Sequence, residues 1–269
     1  TDRNRTSPFA FTGNKFEFRM LGSRASVSNP NIVLNTAVAD ALHQFAEELK
    51  DYPPDEMEHA VHELVKRAIV KHKRVIFNGN GYTDEWVREA EKRGLYNLKS
   101  TPDALPQFLA EKNVSLFTRY HIFTEEEIRS RYEIWLEDYS KTIHIEARTM
   151  IEMVQKDLLP SLLQYSGEVA RTAGQKKSIS EALSIDAETA VLTRLSSCSS
   201  AILESLEKLK SDLLHAEGLT EVLETAKYYC DAILTDMETL RKAADEAEAL
   251  IPDALLPYPT YDKLLYSVF

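Results

Sequence analysis

Between Thr124 and Ile251 the chain contains one proline, Pro160, and its apolar residues recur at steps of three and four. Ile128, Tyr132, Trp135, Tyr139, Ile143, Ala147, Met150 and Val154 make one such stripe. Leu192, Leu195, Cys198, Ile202, Leu206, Leu209 and Leu213 make a second, inside a helix predicted over residues 179–216. Leu223, Ala226, Cys230, Ile233, Met237, Leu240, Ala244, Ala247 and Ile251 make a third. Apolar residues at heptad spacing keep one side of a helix against a partner, the pattern of left-handed bundle packing. Thr124 followed three residues later by Glu127 is a capping box that starts the first helix. Gly167, Gly174 and Gly218 fall where the chain is expected to turn. The predicted fold class is mainly α: a short strand and loop segment, then helices, then a long antiparallel helical bundle. Residues 252–269 are rich in proline, tyrosine and apolar side chains, and are expected to pack back onto the body or onto a neighbouring subunit.

The character of the chain changes near residue 120, which sets two predicted domains, 1–120 and 121–269. In the first, Pro30 suits the first turn of a helix. Ile32, Leu34, Val38, Ala41, Leu42, Phe45 and Leu49 give that helix an apolar stripe, and Pro53 and Pro54 end it. A second helix is predicted over residues 55–73, with Met57, Val61, Leu64, Val65 and Ala68 inward. Val75, Ile76 and Phe77 are expected to form a short strand, and Asn78-Gly79-Asn80-Gly81 a turn. That turn has neither the lysine nor the glycine spacing of a phosphate-binding loop. Thr83 then caps a helix to about Arg93, with Trp86 and Val87 as anchors.

The residues that suggest chemistry lie at the other end. A strand is predicted over residues 14–20, in which Lys15, Glu17 and Arg19 share one face while Phe16 and Phe18 share the other. A face of plus, minus, plus holds a metal ion and anionic groups together, and the aromatic face is expected to enter a core. The same pattern is also that of an ordinary half-buried strand with a solvated face. Residues 1–25 carry a net +3, from Arg3, Arg5, Lys15, Arg19 and Arg24 against Asp2 and Glu17, whereas the whole chain carries −11. A cationic island on an acidic protein suits a small anionic ligand. No broad basic stripe exists to hold nucleic acid. No run of about 18 apolar residues would cross a membrane. Cys198 and Cys230, both on apolar helical faces, read as buried thiols of a reducing, cytoplasmic compartment. The seven histidines are scattered, His59 and His62 included. The acidic clusters Glu125–Glu127 and Asp245–Glu248 sit on helices without partner ligands. A bundle built around a buried metal or haem is excluded by the lack of recurring inward Glu-x-x-His pairs.

Asn4-Arg5-Thr6, then Lys15-Phe16-Glu17-Phe18-Arg19, then Ser28-Asn29-Pro30-Asn31 leading into a helix, resembles the end of the glutamine synthetase catalytic domain. That family carries an Asn-Arg-Ser element, a basic-x-Glu-x-Arg strand and an Ala-Asn-Pro-Tyr helix entry in this order. The residues between the first two blocks look like type III glutamine synthetase. So do the segments from Val75 to Trp86, from Thr101 to Pro106, at Ile122-Phe123-Thr124-Glu125 and from Ser130 to Ile134. The resemblance covers essentially the whole chain.

It implies an ATP-dependent ligase that joins glutamate and ammonium through a γ-glutamyl phosphate, with Mg2+ or Mn2+ as cofactor and a homo-oligomer of double hexameric rings as the assembly. It implies further that Glu17 binds the metal, and that Arg19 and Arg5 are the catalytic and substrate-binding cations. Arg19 would hold glutamate and the transferring phosphoryl group, and Arg5 would neutralise phosphate charge. Lys15 falls where the family has an arginine near the nucleotide, as a point charge without the bidentate fork. Many family members carry a second arginine where this chain has Ala10, a role that Arg3 could take instead, and the usual tyrosine after Asn-Pro is Asn31. The chain is expected to be the C-terminal part of a longer polypeptide, inactive by itself. The competing expectation is a non-enzymatic acidic helical-bundle module for oligomerisation or partner binding, with the charged strand merely an edge strand.

Overall fold

Long runs without proline, and apolar residues at helical spacing, dictate a helical protein, and the computed structural model of the chain is mainly α. It describes residues 9–11, 15–18, 22, 25–77, 80–81 and 83–266. They fall into two compact units, Thr1–Lys99 with Gln107–Arg129, and Ser100–Pro106 with Ser130–Phe269.

The first unit opens with strands β1 (Phe9–Phe11) and β2 (Phe16–Phe18), an antiparallel ribbon. Helices α1 (Ser28–Leu49), α2 (Met57–His72) and α3 (Asp84–Lys92) follow, with α5 (Glu111–Arg119) after the single helical turn α4 (Thr101–Ala104) of the other unit. α1 touches α2 and α5. Tyr120 donates its hydroxyl to Asp40 Oδ1 at 2.9 Å, and the Arg119 guanidinium reaches the same oxygen at 3.2 Å. Phe117, almost fully buried, lies between the rings of Phe108 and Phe123. Phe77 stacks on Trp86 at 3.8 Å between centroids, with the Arg93 guanidinium 5.5 Å from the Trp86 ring.

Three expectations for this unit are corrected. Residues Lys73–Val75 form a 3-10 turn, and Ile76 and Phe77 run on with no strand partner among the described residues. The stripe of α2 is inward only in part, and that of α1 is largely exposed. α1 buries only Thr36, while Val38 is 46%, Leu42 61% and Phe45 37% exposed, and on α2 Val61, Val65 and Ile69 are exposed beside buried Ala60 and Leu64. The periodicity is real, but the elements that would cover it are not among the described residues. Phe16, expected in a core, is 61% exposed.

The second unit is the bundle. α6 (Glu125–Met153) begins with the capping box: Glu127 N–H donates to Thr124 Oγ1, and Thr124 N–H donates to the Glu127 carboxylate. One π turn, Val154–Leu158, joins α6 to α7 (Leu159–Ile179) without a break. Its i→i−5 bond, from Leu159 N–H to Val154 O, sits just before Pro160, which has no N–H to continue the ordinary ladder. α8 (Asp186–Glu217) returns, and α9 (Val222–Tyr228), a second π turn (Tyr229–Ile233) and α10 (Leu234–Glu248) run back again. α8 packs against both α7 and α10. Its buried residues, Leu195, Cys198, Ile202, Leu206, Leu209, Leu213 and Ala216, keep the heptad steps read from the sequence. Each fully buried aliphatic side chain there stabilises by roughly 1.5–3 kcal/mol.

The bundle differs from expectation at its turns. α7 passes through Gly167 and Gly174, so neither is a turn, and the predicted helix over 179–216 starts instead at Asp186 after a loop. Nothing lies within 4 Å of a methyl group placed on Gly174. Gly174→Ala is therefore expected to raise unfolding stability by about 0.5–1 kcal/mol, read as a higher denaturation midpoint with unchanged slope. The tail divides. Leu255 and Leu256 pack on the core, Ser161 donates its hydroxyl to Leu255 O, and Tyr258 donates its own to Met153 O at 3.1 Å. The last helix, α11 (Tyr261–Tyr266), leaves Tyr261, Leu264, Leu265 and Tyr266 exposed.

Candidate active site

The β1–β2 ribbon carries the charged face that the sequence singles out. Its register pairs Phe9 with Phe18, Ala10 with Glu17 and Phe11 with Phe16. Lys15, just before β2, and Glu17 within it have their charged groups 3.4 Å apart. The Glu17 side chain is 24% exposed and that of Lys15 66%, so the carboxylate is the more sheltered member of the pair. Ala10 is directly opposite Glu17. Arg3, Arg5 and Arg19 lie outside the described residues. The site is thus described for Lys15 and Glu17 and for the backbone that aligns them.

A carboxylate is a hard oxygen donor and fits a divalent cation such as Mg2+. One carboxylate is not a complete ligand set, and among the described residues no three His, Cys, Asp or Glu side chains converge to complete one. Cys198 is buried and Cys230 half-buried, each as a free thiol. Burial pushes the Cys198 thiol up, which keeps it an inert core group. His144 shares a hydrogen bond with the Tyr229 hydroxyl at 2.9 Å and has Glu217 at 3.8 Å, so it braces the bundle. A groove of about 500 Å3 between α6 and α10, floored by Met150, Met153, Met237 and Leu240, is mainly apolar. Tyr258 at its edge has its phenol pushed up to about 12 by burial and by the Asp157 carboxylate. None of these places two reacting groups together.

The sequence reading missed one polar cluster. Lys208 of α8 reaches both Asp212 of the same helix and Asp236 of α10. The signal was in the spacing: from Ala226, steps of three and four pass through Tyr229, Ile233, Asp236 and Leu240 as regularly as through Cys230 and Met237, and the first set is the buried one.

Residues 60–177 match the family described as the glutamine synthetase C-terminal domain. The whole chain aligns at 50% identity with a glutamine synthetase of Butyrivibrio fibrisolvens, covering 38% of that protein. A type-3 glutamine synthetase of Dictyostelium discoideum is 35% identical over 99% of the chain and 37% of its own length. A glutamine synthetase of Bacteroides fragilis is 30% identical over the same shares. The chain therefore spans a little over a third of the length of these curated relatives. No helix among the described residues is long and apolar enough to cross a membrane.

Proposed function

We propose that the chain belongs to the glutamine synthetase family, in its type III branch, and is the C-terminal part of an ATP-dependent glutamate–ammonia ligase. The observation that carries the reading is the paired charge of Lys15 and Glu17 on one strand face, with the sheltered carboxylate opposite Ala10. Residues 1–120 are then the end of the catalytic domain and residues 121–269 a C-terminal bundle. The uncovered apolar stripes of α1 and α2 support this division, since they suit a segment whose covering layers belong to the rest of the enzyme.

The chemical problem is electrostatic. A glutamate carboxylate attacks the terminal phosphate of ATP, so fixed positive charge must stand where negative charge accumulates. A divalent cation supplies most of that charge when bound, and Glu17 contributes one of its oxygen ligands. Lys15 sets a point charge next to the nucleotide, with Arg3 as a second cation there. Arg19 clamps the substrate carboxylate and the moving phosphoryl group by its planar fork, and Arg5 faces the phosphates. Glutamate and ammonium are the substrates, γ-glutamyl phosphate the intermediate, the cytoplasm the compartment, and a double hexameric ring the assembly.

One strand cannot form the whole site. The 269-residue chain alone is expected to give no phosphate release with glutamate, ammonium, ATP and Mg2+, and to regain turnover only when joined to the upstream part of the enzyme. Turnover by the isolated chain would reject the reading of an incomplete site.

A further inference from the structure

Two asparagines of the chain precede a glycine, Asn78 and Asn80, and both belong to the segment that leads into α3. Asn78 and Gly79 lie outside the described residues. Asn80 is exposed, and Gly81 follows it in a turn. The chain on either side is held in place. Phe77 stacks on Trp86 at 3.8 Å, and the Arg93 guanidinium donates to Ile76 O at 3.0 Å. Thr83, immediately before α3, donates its hydroxyl to the backbone carbonyl oxygen of Asn80 at 3.3 Å. That oxygen and the Gly81 N–H belong to one planar peptide unit, so a donor on the oxygen acts on the nitrogen as well.

We propose that Asn80 is a site of spontaneous deamidation, and that Thr83 promotes the reaction through the Asn80–Gly81 peptide. The Gly81 nitrogen gives its proton to hydroxide and attacks Cγ of Asn80. The N–Cγ bond forms, the Cγ–Nδ2 bond breaks, and Nδ2 takes a proton from water and leaves as ammonia. Water then opens the resulting succinimide at either carbonyl, which gives aspartate or isoaspartate at position 80. Nothing is oxidised or reduced. Glycine suits the step because no Cβ crowds its nitrogen. The attacking anion shares its negative charge between the Gly81 nitrogen and the Asn80 carbonyl oxygen. A hydrogen bond to the charged form of a group favours that form, and the Thr83 hydroxyl supplies it. The Thr83 side chain makes no capping bond to α3 that would compete. Asn97 is the contrast: it is also exposed, but Leu98 follows it. The product adds a carboxylate ahead of Asp84 and Glu85 in the first turn of α3. In its isoaspartyl form it also lengthens the backbone between the two clamped ends of the turn.

The test is peptide mass mapping of the full-length enzyme after storage at mildly alkaline pH, with digestion in acid so that handling does not create the modification. The peptide that holds Asn80 should gain the mass of an amide-to-acid exchange, fragment ions should place it at residue 80, and an isoaspartate-directed methyltransferase should label it. The Asn97 peptide should stay unchanged. Gly81→Ala should lose the modification at residue 80. Thr83→Val keeps the side-chain shape and removes the hydroxyl, and should slow the reaction by about 2–10-fold, the worth of one hydrogen bond. That difference should vanish in concentrated urea, where the turn is gone. An Asn80 as stable as Asn97, or modification confined to Asn78, overturns the site. Equal rates for the folded parent and the Thr83→Val enzyme overturn the role of Thr83. The measurement on the parent needs no variant, and no readout depends on ligase activity.

Discussion

In the full-length enzyme, Glu17→Ala is expected to lower kcat by about 10²–10³-fold, the size of effect seen when one preorganised electrostatic group is removed from a reacting centre. The affinity for Mg2+, followed by metal titration, should fall in parallel, because the proposed oxygen ligand has gone. The sheltered position of Glu17 makes the change costly, since water replaces a carboxylate poorly where field strength depends on partial exclusion of solvent. Lys15 also loses its partner at 3.4 Å, which leaves its charge less well positioned. Glu126→Ala is the matched control. That side chain is exposed in the first turn of α6, where a carboxylate contributes only a modest interaction with the helix dipole. Steady-state kinetics should leave Glu126→Ala near the parent value. Equal losses for the two variants would reject the assignment of Glu17.

The second large effect is structural. Leu209, fully buried on α8, should cost about 2–5 kcal/mol when truncated to alanine, combining lost burial with a cavity that a helix packed against both α7 and α10 cannot readily collapse. Leu214, 71% exposed on the same helix, should change stability by no more than about 0.5 kcal/mol on the same truncation. Urea unfolding followed by circular dichroism measures both. A loss at Leu214 as large as that at Leu209 would mean that α8 is turned differently in its bundle.

The bundle was legible because heptad spacing is a local property: the α8 stripe in the sequence is the α8 stripe in the structure. Two kinds of information were not local. From Ala226 to Leu240, steps of three and four fit either Tyr229 with Asp236 or Cys230 with Met237, and only the folded neighbours decide which pair is the more buried. Hence Tyr229 and Asp236 face inward where Cys230 and Met237 were expected to lead. Glycine is ambiguous for a related reason, since its helix penalty of about 1 kcal/mol is easily outweighed by packing on either side, as in α7. At the candidate site, period two along the strand was enough to bring Lys15 and Glu17 together. The opposition of Ala10 and Glu17 was not readable, because it depends on hairpin register. The α1 stripe was read correctly as apolar, and much of it is exposed among the described residues. Arg3, Arg5 and Arg19 rest on family resemblance alone.

The central place of α8 has a consequence for how the bundle assembles. Of its two partners, α7 directly precedes it in sequence, and α10 follows it through α9 and the second π turn. Each new layer is added by closing a small loop, so little chain entropy is lost before contacts form. Topologies of this kind have low contact order and fold quickly. The C-terminal bundle can therefore acquire its core from its own chain, on a timescale set by helix docking rather than by the search for distant strands.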